Sequence, residues 1–85
     1  MSHSLKKTTI KSGKNSVGAT VRRLRRSQRV PVSQQDLAGR LAALGVSLDR
    51  SAVARIESGD RYVLDYEAVA LAKALRIPIE ALFPR

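Results

Sequence analysis

Hydrophobic residues along most of the chain recur at the spacing of α-helices, and no segment alternates convincingly between polar and apolar positions. The first series, Val17, Val21 and Leu24, has the i, i+4, i+7 spacing of one helix face and predicts a helix that ends near Gln28. Four further helices follow in the pattern. The sequence therefore predicts an all-α, compact five-helix domain without a sheet.

Capping residues delimit the second helix. Ser33 and Asp36 have the spacing of a capping box, in which each side chain accepts a hydrogen bond from the backbone N–H of the other residue. Gly45 is expected to end this helix. The predicted buried face consists of Leu37, Leu41 and Leu44.

The third helix, predicted over about residues 50–58, is short and sharply bounded. Asp49 is a typical N-cap and Gly59 a typical residue after a helix end, while Leu48 and Val53 have the spacing of a hydrophobic staple. The helical period places two sets of residues on opposite faces. The inward face carries Ala52, Val53 and Ile56, and the outward face carries Arg50, Ser51, Ala54 and Arg55.

The fourth helix is predicted to begin at Asp65 as N-cap, with a staple between Leu64 and Val69. It is apolar over most of its circumference, which indicates a central position among the helices. Pro78 favours the first turn of a helix and predicts a last short helix over residues 79–83.

Charge divides the chain into two parts. The net charge is +9, yet residues 1–35 contain nine Lys and Arg residues and no acidic one, while residues 36–85 contain seven of each sign. Residues 1–15 have neither a helical nor a strand period, which predicts a flexible basic arm before a helical domain over residues 16–85. A polyanion is the natural partner: nucleic acid, an anionic membrane or an acidic protein.

Several function classes find no support. The absence of cysteine excludes disulfides and thiolate metal sites and is consistent with the reducing cytoplasm, where we expect the protein. The one histidine, His3, has no neighbouring partners for a metal or catalytic site, so we expect no metal, no cofactor and no enzymatic activity. No apolar run approaches the roughly 20 residues that span a membrane, and no secretory signal follows the basic N-terminus.

Helices two and three, joined by a short linker, have the pattern of a helix-turn-helix, in which the second member fits the major groove of DNA. Arg50 and Arg55 offer planar forks that match guanine O6 and N7, and the Ser51 hydroxyl can donate or accept a hydrogen bond. These three residues are therefore expected to read bases of double-stranded DNA.

The motifs SQQDLA, VARIESG and ALAKALRIPIEALF stand in the order found in a known family. Over about residues 17–83 the chain resembles the lambda-repressor-like, Cro/C1-type (XRE-type) helix-turn-helix proteins. The resemblance implies a five-helix domain that binds operator DNA, usually as a two-fold dimer. It thus implies a transcriptional regulator that acts as a homodimer.

The resemblance also implies roles for residues outside the recognition helix. Ser33 and Gln34, at the start of the second helix, and Arg61, after the third, would contact the DNA backbone. Glu57 would form a structural ion pair with Arg25. The resemblance does not cover the basic arm. If the protein binds DNA, the arm is expected to track phosphates or enter the minor groove through Lys6, Lys7, Lys11 and Lys14, the alternative being nonspecific attraction by an unstructured terminus.

The chain departs from the family pattern in four places, one of which is the segment RVPVSQ, about two residues longer than the usual connection before helix two. The connection between helices two and three is several residues longer than in the tightest members. Asp49 puts a carboxylate where a neutral residue often faces DNA. Arg76 replaces a glycine that is common after the fourth helix. The two longer connections leave the docking angle on DNA open.

Two other binding functions compete with sequence-specific DNA binding. The fold could serve as a protein-interaction module, for example as an antitoxin that binds a partner protein, although its outward face lacks the aromatic anchors of protein hot spots. RNA binding has less support, since Tyr62, Tyr66 and Phe83 are too few to form a base-stacking platform.

Overall fold

The computed structural model describes residues 9–10 and 17–83. Within these ranges the chain forms four α-helices, one pair of short strands and one 3-10 helix. In chain order the elements are β1 (Thr9–Ile10), α1 (Val17–Arg26), α2 (Gln34–Ala43), α3 (Arg50–Ser58), β2 (Val63–Leu64), α4 (Asp65–Leu75) and the 3-10 helix (Ile79–Leu82).

The expectation of five α-helices is wrong at the C-terminal end. The segment after Pro78 makes one 3-10 turn, and Phe83 has left helical geometry with φ −106° and ψ 102°. Four residues are too few for the i to i+4 hydrogen bonds of an α-helix to repeat, so the tighter 3-10 pattern is the one that forms. Leu82 on this turn is nevertheless completely buried.

Most residues of α4 lie in the core, as the apolar circumference of that helix predicts. α4 contacts α1, α2, β2 and the 3-10 helix, and α3 packs on α1 and α2. Burial of these apolar side chains removes their surface from water and supplies the main favourable free energy of folding. The largest fully buried side chains are Leu37, Leu41, Ile56, Leu71, Leu75, Leu82, Val17, Val21, Val53 and Val63.

Local capping sets the ends of α2 and α3 as predicted. Ser33 Oγ accepts a hydrogen bond from the Asp36 N–H at 2.9 Å, and the Asp36 carboxylate accepts one from the Ser33 N–H at 3.1 Å. These bonds hold the pKa of Asp36 below its ordinary value. At α3 the Asp49 carboxylate accepts from the Ala52 N–H at 2.8 Å, and Gly59 ends the helix in the left-handed conformation with φ 87°.

The buried face predicted for α2 is wrong at one position. Leu37 and Leu41 are fully buried, but Leu44 is 45% exposed. The helix ends at Ala43, and Leu44 is its C-cap with φ −92° and ψ 5°, so the Leu44 side chain does not continue the buried stripe.

The beginning of α4 also differs from the prediction. Asp65 is the first helical residue, and Leu64 occupies the cap position without a capping side chain. The predicted staple partner Val69 is 43% exposed. Glu67 takes over the capping role, because its carboxylate accepts a hydrogen bond from the Leu64 N–H at 3.0 Å.

Two side chains bind carbonyl groups at the C-terminal end of α4. The Arg40 guanidinium of α2 donates to the Ala74 carbonyl at 2.9 Å, and the Gln28 amide donates to the Leu75 carbonyl at 3.0 Å. The helix ends at Arg76, which replaces the family's glycine and adopts the left-handed conformation with φ 59°. These contacts satisfy carbonyls that have no partner within the helix.

The prediction of a fold without a sheet is wrong, because β1 and β2 form an antiparallel pair. Thr9 lies opposite Leu64, and Ile10 lies opposite Val63. The pair joins a short part of the predicted arm to the domain next to α4. The rest of the arm, including all four of its lysines, lies outside the described residues. In the part of the chain that the structure describes, no helix is long and apolar enough to cross a membrane.

Candidate nucleic-acid interface

The outward face of α3 is formed by side chains that have no partner in the described protein. Arg50, Ser51 and Arg55 are exposed and Ala54 is half-buried, while Val53 on the opposite face is buried. Among the described residues, neither arginine makes an ion pair or a side-chain hydrogen bond. Two guanidinium forks and one hydroxyl are thus presented together on a short helix and remain free to bind.

A buried ion pair fixes the C-terminal half of α3. Arg25 Nε donates to Glu57 Oε2 at 2.7 Å, and Arg25 Nη2 donates to Glu57 Oε1 at 2.9 Å. The Arg25 and Glu57 side chains are 11% and 3% exposed. The hydrogen bond to Glu57, with the attraction of the carboxylate, raises the pKa of Arg25. Such a bidentate pair restrains both the position and the rotation of α3 relative to α1.

The same pair is connected to the start of α2. Gln34 Nε2 donates to Glu57 Oε1 at 3.1 Å, and Arg25 Nη1 donates to the Val32 carbonyl at 2.8 Å. Gln34 therefore braces α3 in the free protein, in addition to the backbone contact that the family resemblance implies for it. The two members of the helix-turn-helix are held to each other and to α1 by one hydrogen-bonded network.

Arg61 is engaged in a second ion pair. Its Nη1 and Nη2 atoms lie 2.9 Å and 3.2 Å from the two carboxylate oxygens of Glu67, and Nη1 also donates to the Tyr62 carbonyl at 2.9 Å. The hydrogen bond to Glu67 raises the pKa of Arg61. The Arg61 side chain remains 30% exposed, so that part of the guanidinium can still face a ligand.

Glu67 is a structural residue that the sequence analysis missed. Its side chain is 4% exposed. Burial raises the pKa of this carboxyl, but the hydrogen bonds from Arg61 and from the Leu64 N–H outweigh it, so that the pKa of Glu67 lies below its ordinary value. The sequence signal for this role is the position of Glu67 as the third residue of the helix. A glutamate at that position accepts a hydrogen bond from the backbone N–H of the N-cap residue.

The long connection between α2 and α3 is ordered by its own contacts. Residues 44–49 turn through the left-handed Gly45, the Val46 N–H donates to the Leu41 carbonyl at 2.9 Å, and Leu48 is buried. A groove lies between α2, along most of its length, and the connection with the start of α3. It is lined by Gln35, Ala38, Gly39, Ala42, Ser47, Leu48, Asp49, Arg50 and Ser51.

Two arginines of α1 that the sequence pattern does not mark as functional adjoin the outward face of α3. Arg22 and Arg26 line a cleft together with Ala54 of α3 and Gln34 of α2. Their i, i+4 spacing was the available signal, since it puts both on one face of α1. No group of acidic or histidine side chains among residues 9–10 and 17–83 is arranged to hold a metal ion.

Comparison with known proteins gives one relative of high similarity. No family model matches the chain, and no curated protein matches it. Among solved structures, the crystal structure of the restriction-modification controller protein C.AhdI from Aeromonas hydrophila is similar, with a TM-score of 0.67 and 36% sequence identity. The alignment covers 79% of this chain and 91% of C.AhdI. The family expected from the sequence is confirmed, and the chain belongs to the lambda-repressor-like, Cro/C1-type helix-turn-helix proteins.

Proposed function

We propose that the protein is a sequence-specific DNA-binding transcriptional regulator whose helix α3 enters the major groove. The observation that carries this proposal is the pair of unpartnered guanidinium groups, Arg50 and Arg55, on a helix that the Arg25–Glu57 pair holds in place. Arginine is the residue that most often reads guanine, through two parallel hydrogen bonds. A braced helix loses little conformational entropy when it binds, which favours affinity.

In this function the remaining residues divide into base and backbone contacts. Ser51 joins the two arginines as a base reader. Ser33 and Gln34, at the start of α2, bind the phosphate backbone, and Arg61 adds a backbone contact with the exposed part of its side chain. The arm lysines Lys6, Lys7, Lys11 and Lys14 add sequence-independent attraction to DNA.

We further propose that the protein binds its operator as a homodimer. Helix-turn-helix dimers read two half-sites that are related by the two-fold axis of the protein. Exposed apolar side chains suited to an interface between two copies lie in the β2–α4 region and on or directly after the 3-10 helix. They are Tyr62, Tyr66, Val69, Ile79 and Phe83.

The similarity to a restriction-modification controller indicates where an operator is to be sought. C.AhdI is such a controller, and we propose that the present protein likewise controls restriction and modification genes. Upstream regions of such genes are the natural candidates for the duplex that it binds.

The proposal is tested by selecting binding sites from a random duplex library with the purified protein. A palindromic motif with a preference of about a thousandfold or more over scrambled DNA is the expected result. Arg50→Ala and Arg55→Ala are then each expected to weaken binding to the selected site by about 1–3 kcal/mol, with little loss on scrambled DNA. Both affinities are measured by titration at a fixed salt concentration.

Arg29→Ala is the matched control, because Arg29 is an exposed arginine outside α3. Equal losses on selected and scrambled duplexes for Arg50→Ala and Arg55→Ala would contradict base reading by these residues. Failure to enrich any sequence would contradict the proposed function itself and would direct the search to a protein partner, as expected for an antitoxin.

A further inference from the structure

The cleft between α1 and α3 has the charge and position of a site for an anion. Three arginines, Arg22, Arg25 and Arg26, line it, and Glu57 is its one acidic lining residue. The Glu57 carboxylate is already bound by Arg25 in the bidentate pair. The guanidinium groups of Arg22 and Arg26 therefore remain as uncompensated positive charge at the cleft.

These two arginines are not explained by the stability of the fold. Both are exposed, and neither has an ion pair or a side-chain hydrogen bond among the described residues. Like charges four residues apart on a helix repel each other by a few tenths of a kcal/mol. A bound anion between the two would replace that repulsion with attraction.

The cleft is continuous with the surface proposed to face DNA. Its lining includes Gln34, at the start of α2, and Ala54, on the outward face of α3. A helix that lies in the major groove is flanked by the phosphates of the two strands, and contacts to those phosphates fix its register. With α3 in the groove, the cleft would therefore lie beside the sugar–phosphate backbone.

We propose that Arg22 and Arg26 form a phosphate-binding site for the DNA backbone, so that α1 is a DNA-contacting element as well as a support for α3. The proposal rests on the proposed function, because it takes the outward face of α3 as the DNA side. The ligand is a phosphodiester of double-stranded DNA, and each arginine contributes one sequence-independent contact.

The experiment compares two double variants that remove the same charge. Arg22→Gln with Arg26→Gln alters the cleft, whereas Arg23→Gln with Arg29→Gln removes two exposed arginines that do not line it. Binding to a random-sequence duplex is titrated over a series of salt concentrations. Each lost phosphate contact lowers the slope of log K against log salt by about 0.9, so the cleft variant is expected to lose about 1.8.

In the control variant, the slope of log K against log salt is expected to decrease much less. Circular dichroism checks that both variants are folded. Equal slope losses in the two variants, or no loss in the cleft variant, would overturn the proposed phosphate site. If the proposed function is wrong, the wild-type protein will prefer no duplex sequence over another. The slope of log K against log salt can still be measured on a random duplex in that case, so the two failures are distinguishable.

Discussion

At the scale of single residues, Arg25 links three parts of the fold. It donates two hydrogen bonds to Glu57 of α3 and one to the Val32 carbonyl just before α2, while it is itself part of α1. Glu57 receives a further hydrogen bond from Gln34. A buried charge is tolerated when it is paired in this way, and removal of one partner leaves the other charge without compensation.

Arg25→Ala is therefore expected to lower the free energy of unfolding by about 3–5 kcal/mol. Urea denaturation measures this loss. Arg26→Ala, which removes the adjacent exposed arginine, is the control and should change stability by about 0.5 kcal/mol or less.

A double variant separates charge from packing. Arg25→Met with Glu57→Met removes both charges and keeps comparable volume, and it should recover a large part of the stability lost in Arg25→Ala. If Arg25→Ala were as stable as Arg26→Ala, the pair would not anchor α3.

At the scale of elements, capping was the part of the structure that the sequence predicted best. The signals at Ser33, Asp49 and Gly59 are local, since each cap acts on backbone groups within a few residues. The start of α4 was misplaced by one residue, because Asp65 is itself a good cap and nothing nearby showed that Glu67 would be buried against Arg61. That contact depends on how β2 and α4 pack, and the spacing of residues along the chain does not predict this packing.

The strands and the α1 cleft were missed for a related reason. β1 and β2 have two residues each, too short for an alternating pattern, and their pairing joins positions more than fifty residues apart in the chain. Likewise, the proposed role of Arg22 and Arg26 depends on the cleft that they line together with Ala54 of α3. Within α3, by contrast, the helical period was enough to predict that Arg50, Ser51 and Arg55 are exposed. Ala52 and Ala54, predicted on opposite faces, are both half-buried.

The Glu67 carboxyl makes the junction of β2 and α4 sensitive to acid. Its pKa in the folded protein lies below the ordinary value of 4.5. The unfolded chain therefore binds a proton at higher pH than the folded protein does. The stabilisation from Glu67 is complete above about pH 4.5 and is lost as the pH falls through the lower, folded value.

We therefore expect urea midpoints of the wild type to fall as the pH is lowered from about 5.5 to 3, and Glu67→Gln to show a smaller decrease over this range. Asp36 has a pKa shifted in the same direction and supplies a remaining pH dependence in the variant. Identical pH profiles for wild type and Glu67→Gln would contradict the role given to this carboxylate.

At the scale of the whole molecule, the excess positive charge is concentrated ahead of the helix-turn-helix. All of the net +9 is accounted for by residues 1–35, which contain the predicted arm, α1, the loop that follows it and the first two residues of α2. The strand pair connects this basic segment to β2 through Thr9 and Ile10. The arm is thus proposed to act in two ways, through the charge of its lysines and through a backbone contact with the domain.

Two variants distinguish these contributions. Deletion of residues 1–14 removes both the strand and the arm lysines, whereas replacement of Lys6, Lys7, Lys11 and Lys14 by glutamine keeps Thr9 and Ile10. Both variants should bind all duplexes more weakly, with a shallower dependence of log K on log salt, because each removes the same four cations. Only the deletion should also lower the free energy of unfolding, since it alone abolishes the pairing with Val63 and Leu64.

An unchanged salt slope in both variants would show that the arm takes no part in binding. The attraction to DNA would then have to come from the arginines of α1 and α3.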